Sequence, residues 1–215
     1  MNALRPLSRR IAVLISGRGS NLQSILDAIR VGELDATVAV VISNRAEAPG
    51  LVRAREAGVD AVCLQPRDYA DRDAYERAIV EMLRGFDVGL VCLAGFMRRV
   101  GHPLLQAFPN RILNIHPSLL PAFPGLEAQR QALEHGVRVT GATVHVVDAV
   151  LDAGPIVLQA PVPVLDHDTV EALSARILVE EHKLYPRAIQ MVLDAGWTIE
   201  GRRFVRDGLR TGGRT

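Results

Sequence analysis

Short apolar, β-branched runs alternate with helically spaced segments through the first half of this chain, and that alternation restricts the fold more than any other feature. Residues 11–16, 37–42, 61–64, 88–93 and 111–115 read as strands. Leu22, Ile25, Leu26 and Ile29 recur at helical spacing over 21–29, with Ser20 or Asn21 in place to cap. A second helix runs to about Glu56 and stops near Gly58; a third spans 72–83 and ends at Gly85. Strands separated by helices cross over and pair in parallel. The expectation is an α/β fold, a mostly parallel twisted sheet flanked by helices. The second half changes pattern. Residues 139–147 and 155–164 are two extended runs joined by the turn 148–154, which predicts antiparallel C-terminal strands on the same continuous sheet. A helix over 168–193 follows, which Pro186 is expected to kink or break, and 198–205 suggests a short final hairpin.

The 215 residues suit a single domain with a sizeable core. Apolar runs are strand-sized, so no bilayer span is expected, and the N-terminal stretch to Arg10 lacks the apolar region of a signal peptide. A cytoplasmic location follows as an expectation. Twenty-five basic against 24 acidic residues leave no net field that calls for nucleic acid or a membrane surface. Nearly all the basic residues are Arg, with Lys183 the single Lys, a usage that reflects genome composition more simply than function. The Arg-rich stretch 201–215 reads as a solvated, partly disordered basic tail. Cys63 and Cys92 read as buried strand thiols, and the six His show no metal-binding spacing, so no metal is expected.

Three segments carry chemistry. Ser16-Gly17-Arg18-Gly19-Ser20-Asn21-Leu22 follows a strand and opens a helix, where backbone N–H groups and the helix dipole suit a phosphate. Leu22 stands where a dinucleotide fingerprint needs a third Gly, so a monophosphate cradle fits better; a plain tight turn is the other reading. In ILNIHPSLLP, Asn114 and His116 lie two apart on a strand and so share a face, one able to donate to an oxyanion and the other to move a proton. The alternative is a strand-end pair satisfied by backbone. Asp152 is either a turn former or the carboxylate that raises the pKa of His116 and orients its ring. His145 reads as a packed strand histidine, and Glu181 as part of a solvated helix face.

Taken together, LISGRGSNLQSI, VISNRAEAPGLVRAREAGV, LAGFMR, ILNIHPSLLPAFPG and GATVHVVDAVLDAGPIVLQAPVPV resemble the glycinamide ribonucleotide (GAR) formyltransferase family of de novo purine synthesis, from Ile11 to about Arg187. The resemblance implies a Rossmann-like nucleotide-binding half (about 11–110) joined to a folate-binding, catalytic half (about 111–200). It implies 10-formyltetrahydrofolate as co-substrate and GAR as acceptor, both small molecules, with no nucleic acid or membrane partner and a monomer or homodimer. Asn114 would bind the formyl oxygen, a protonated His116 would be the general acid/base and Asp152 its partner. Gly19, Ser20 and Asn21 would hold the phosphate, and Glu181 would contact the glycinamide region. Arg72, Met97, Arg98, Arg99, Val100 and the loop from Asp148 to Asp152 would meet the folate, as would Asn114. The chain departs from the family at Glu127 and Gln129, where His is common, and at Ala122.

Direct attack of the amine through a tetrahedral intermediate is the expected route, with no covalent enzyme species. Methionyl-tRNA formyltransferase shares HPSLLP but carries a further C-terminal domain for which this chain has no room. Formyltetrahydrofolate deformylase shares the triad but carries an N-terminal regulatory domain. A non-catalytic nucleotide-binding module would keep GRGSN without needing Asn114, His116 and Asp152 together.

Overall fold

The computed structural model describes residues 7–194 and 196–206. The expectations for residues 1–6, and for 207–215 of the basic tail, lie outside the described residues.

Strand β1 (Arg10–Ile15) leads through the GRGS turn into helix α1 (Ser20–Arg30), and β2 (Thr37–Ser43) into α2 (Pro49–Glu56). β3 (Ala61–Cys63), α3 (Arg72–Gly85), β4 (Leu90–Leu93), α4 (His102–Ala107) and β5 (Ile112–His116) follow. Then come α5 (Ala128–Glu134), β6 (Val139–Val146), β7 (Ile156–Pro163), α6 (Val170–Leu193), β8 (Trp197–Glu200) and β9 (Arg203–Arg206). One nine-stranded sheet results, ordered β3-β2-β1-β4-β5-β6-β7-β9-β8. β1 to β5 pair in parallel, whereas β5–β6 and β6–β7 pair antiparallel, as the change of pattern along the sequence predicts.

The parallel strands are buried on both faces, which is why they read as continuous apolar runs rather than alternating ones. Ile11, Val13 and Ile15 of β1 pack with Leu22 and Ile25 of α1, Leu51 of α2 and the buried stripe of α6. Ala12 and Leu14 face the other way, against Tyr75, Ile79 and Leu83 of α3 and Leu104 of α4. The order reverses direction at β1, so the loops after β1 and β4 diverge and leave a crevice at the carboxyl ends of the strands.

Several expectations are corrected. α1 is capped by Gly19 in the left-handed region (φ 72°), with no side-chain cap; Ser20 and Asn21 are its first two residues. α6 runs as one helix through Pro186, so of the expected kink or break the break does not occur. Proline has no N–H for the His182 carbonyl, but its neighbours hold the turn: Leu184, Tyr185, Pro186, Ala188 and Ile189 are all buried. The Tyr185 hydroxyl lies 2.9 Å from the Leu93 carbonyl and 3.1 Å from that of Leu113, pinning α6 beneath β4 and β5. The short final hairpin expected over 198–205 is present as β8 and β9, with β9 also pairing with β7 at Arg203, so the solvated-tail reading of 201–215 fails for 203–206. The short helices α4 and α5 had no expectation, being too brief to show periodicity. Cys63 is partly exposed on the short edge strand β3, while Cys92 is buried in β4. Among the described residues no helix is long and apolar enough to cross a membrane.

Candidate active site

At the end of β1 the chain turns through Gly17–Gly19 into α1. The first intrahelical bond is Gln23 N–H to the Gly19 carbonyl, so the N–H groups of Ser20, Asn21 and Leu22 have no helical partner and point from the helix start. Gly19 cannot be another residue without strain: its φ is positive, and a Cβ would stand 2.8 Å from the Gly50 Cα. Asn21 is 8% exposed and donates its amide to Glu181 Oε2 at 2.7 Å, while its Oδ1 has no partner among the described residues. Glu181, on α6, is itself only 7% exposed, which corrects the solvated-face reading. Burial pushes its carboxyl pKa up, and the Asn21 bond only partly opposes that. These residues line a cavity of about 710 Å³ together with Met97, Pro117 and Gln129. Arg18 and Arg45 line it too, and nothing in the sequence distinguishes them from the chain's other arginines.

β5 delivers Asn114 and His116 on one face, and β6 lies antiparallel beside it with His145 directly opposite Asn114. Directly opposed residues project to the same side of a sheet. The Asn114 amide lies 3.2 Å from His145 Nε2, and His145 Nδ1 lies 3.1 Å from the Val146 carbonyl. That carbonyl accepts the Nδ1 proton, so in the neutral ring Nε2 accepts from Asn114, leaving the second Asn114 N–H free. Asp152 completes the group, with Oδ2 3.6 Å from His116 Nδ1 and Oδ1 3.7 Å from His145 Nε2. Its Oδ2 also accepts the Gly125 N–H at 2.8 Å, and His116 Nε2 lies 2.9 Å from the Phe123 carbonyl. Asp152 and Phe123 both sit at positive φ, 51° and 53°, which turns the carboxylate and the carbonyl towards His116. Gly154 lets the Asp152 turn lie against β6, since a Cβ there would overlap the Val146 carbonyl oxygen.

A strand-borne amide, an imidazole and a buried carboxylate thus stand together in a chain that has known relatives. The formyl transferase family model covers residues 9–189. The chain is 42% identical over 185 residues to the phosphoribosylglycinamide formyltransferase of Bacillus subtilis, covering 86% of this chain and 95% of that protein. The chain belongs to the phosphoribosylglycinamide formyltransferase family. It is also 47% identical to the trifunctional purine biosynthetic protein adenosine-3 of Bos taurus, over 88% of this chain but only 19% of that much longer protein. The crystal structure of glycinamide ribonucleotide transformylase 1 from Symbiobacterium toebii superposes with a TM-score of 0.92 at 60% identity, over 96% of this chain and 98% of that one.

Within this member of the formyltransferase family, the electrostatics depart from one expectation. The pKa of His116 lies below the ordinary imidazole value, not above it. Burial is the largest influence and disfavours the imidazolium; the Phe123 carbonyl and Asp152 oppose it, and His145 adds to it. For Asp152, burial pushes the carboxyl up, but the His145 ring, the Gly125 N–H and the positive character of His116 outweigh it and hold the pKa below the usual value. At neutral pH the site thus holds a neutral imidazole facing a carboxylate, able to accept a proton.

Of the remaining expected residues, Met97 lines the cavity, whereas Arg72, Arg98, Arg99, Val100 and Asp148 are not part of its lining. Arg72 turns inward, bonding Glu76 Oε1 at 3.1 Å and the Arg99 carbonyl at 2.7 Å. Arg98 lies over the Tyr75 ring at 5.4 Å, and Met97 is 66% exposed. Val100 packs on the α3 side of the sheet, and Asp148 accepts the Val150 N–H at 2.9 Å within its own turn. Of the departures from the family pattern, Glu127 is exposed and pairs with Arg130 at 3.4 Å, whereas Gln129 lines the cavity of about 710 Å³. The Ala122 carbonyl accepts from Ser118, which gives that buried hydroxyl a structural partner. His145 is the residue sequence reasoning set aside. Its signal lies in cross-strand register, which a single sequence does not contain.

Proposed function

We propose that this protein transfers the formyl group of 10-formyltetrahydrofolate to the amine of glycinamide ribonucleotide, giving formyl-GAR and tetrahydrofolate in de novo purine (IMP) biosynthesis. The observation that carries this reading is the convergence of Asn114, His116 and Asp152 at the strand ends, with the single strand β4 between β5 and the strand that leads into the Gly19–Ser20–Asn21 turn. In this reading the phosphate sits on the free N–H groups of that turn, and Glu181 meets the glycinamide ribonucleotide beyond it. The folate lies across Met97–Val100 and the turn holding Asp148 and Asp152, with Arg72 behind. Residues 11–110 then serve mainly the nucleotide and 111–200 the folate and the chemistry.

The GAR nitrogen attacks the formyl carbon, and the carbonyl electron pair moves onto oxygen. The free N–H of Asn114 donates to that oxyanion. The amine proton passes to neutral His116 in the tautomer whose Nδ1–H faces Asp152, so that the Nε2 lone pair, turned from the Phe123 carbonyl to the substrate, accepts it. The imidazolium so formed is stabilised by Asp152 and returns a proton to the departing folate nitrogen as the carbon–nitrogen bond breaks. This replaces the expectation of a His116 protonated from the start. Both substrates are water-soluble small molecules, consistent with action in the cytoplasm.

The test is to incubate the purified protein with GAR and 10-formyltetrahydrofolate, following tetrahydrofolate by absorbance and formyl-GAR by mass. One formyl-GAR per tetrahydrofolate supports the proposal. Free formate without formyl-GAR would make the protein a deformylase, and ligand binding without turnover would leave a binding module.

A further inference from the structure

The loop between β4 and α4 is gripped from the N-terminal half at three points. Met97 N–H donates to the Ser16 hydroxyl at 2.8 Å, and the Arg99 carbonyl accepts from Arg72 at 2.7 Å. Gly101 N–H lies 2.8 and 3.0 Å from the two oxygens of Glu76. Glu76 is 3% exposed, an acid on α3 that the proposed chemistry does not use. An ion pair to Arg72 Nε at 3.1 Å and the Gly101 N–H satisfy it there. Glycine at 101 allows the approach, since a Cβ would stand 2.8 Å from both carboxylate oxygens. Between the grips Met97, Arg98 and Arg99 are exposed, and the packing is confined to Val100 against the α3 side of the core and Arg98 over the Tyr75 ring. A segment of that kind takes its conformation from its anchors.

We propose that Glu76 is a positioning residue: its buried carboxylate, bound to the Gly101 N–H and to Arg72, fixes the backbone of 97–101 and so sets affinity for the folate co-substrate and not for the ribonucleotide. This rests on the reading above that residues 97–100 meet the folate. Arg72 then acts partly through Glu76, carrying the carboxylate's hold on to the Arg99 carbonyl.

The experiment compares wild type with Glu76→Gln, Glu76→Asp and Met97→Ala, using hydrogen exchange of the ligand-free protein and steady-state kinetics with each substrate varied. Glutamine keeps the shape but turns an amide towards a donor and removes the charge from Arg72. Expected are faster exchange over 97–101, a rise of about tenfold in KM for 10-formyltetrahydrofolate, unchanged KM for GAR, and partial rescue in Glu76→Asp. Unchanged exchange overturns the proposal. So does a parallel rise in both KM values with a lower melting temperature, which is general destabilisation. If exchange quickens but neither Glu76→Gln nor Met97→Ala alters the folate KM, the folate reading of the loop has failed and the proposal falls with it. If Met97→Ala raises that KM and Glu76→Gln does not, the reading survives and only the positioning role is refuted.

Discussion

Replacing Asp152 by Asn tests the electrostatic core of the site while leaving its shape intact. The amide oxygen can still accept the Gly125 N–H that Asp152 now takes at 2.8 Å, so the turn keeps its anchor. What is lost is the negative charge 3.6 Å from His116 Nδ1. Coulomb attraction between a carboxylate and an imidazolium at that distance is about 4–5 kcal/mol with an effective dielectric constant of about 20. The imidazolium exists only once the amine proton has moved, so the loss falls on the transition state and not on substrate binding. Asp152→Asn is therefore expected to lower kcat by about 10³-fold, with little change in KM for either substrate. The pH profile supplies a second, independent sign. Activity needs neutral His116, whose pKa already lies below the ordinary imidazole value because of burial, with Asp152 pulling it upward. Removing the carboxylate lets it fall further, so the acid limb of kcat moves to lower pH. The assay is stopped-flow single turnover with GAR and 10-formyltetrahydrofolate across pH. A kcat within tenfold of wild type, or an acid limb moved to higher pH, would refute the assignment.

Asn114→Ala removes the oxyanion donor and should lower kcat by about 10²- to 10³-fold, read by the same single-turnover assay; an unchanged kcat rules out the role. Glu181→Gln should raise KM for GAR, and it should also change the pH dependence of stability. The folded-state pKa of Glu181 is raised by burial, so its contribution favours the fold at low pH and is lost as pH rises above the unfolded value through the raised one. The variant should thus gain melting temperature relative to wild type at neutral pH and not in acid, checked by calorimetry across pH. Gly154→Ala forces a Cβ onto the Val146 carbonyl. It is expected to cost about 1–3 kcal/mol of stability and to lose activity through displacement of Asp152, seen in urea melts alongside turnover.

Much of this molecule was legible before its structure. The β-branched runs and helical spacing dictate parallel crossovers, because strands joined through helices have no other short route into one sheet. The change at residue 139 to paired extended runs dictates the antiparallel end. Asn114 and His116 had to share a face because side chains alternate along a strand, and the GRGSN turn had to precede a helix. Only the tertiary structure decided the rest. Register across two strands 31 residues apart sets His145 against Asn114, and no local pattern encodes register. Burial of His116 reverses the pKa shift expected from its carboxylate alone, since desolvation is a property of the packed surroundings and not of the neighbour in sequence. Packing of α6 against the sheet turned a helix that looked solvated at Glu181 into one wall of the cavity, and carried that helix unbroken through Pro186. The residue types and their order determined which chemistry was available; three-dimensional packing determined which of those groups meet and in what charge state.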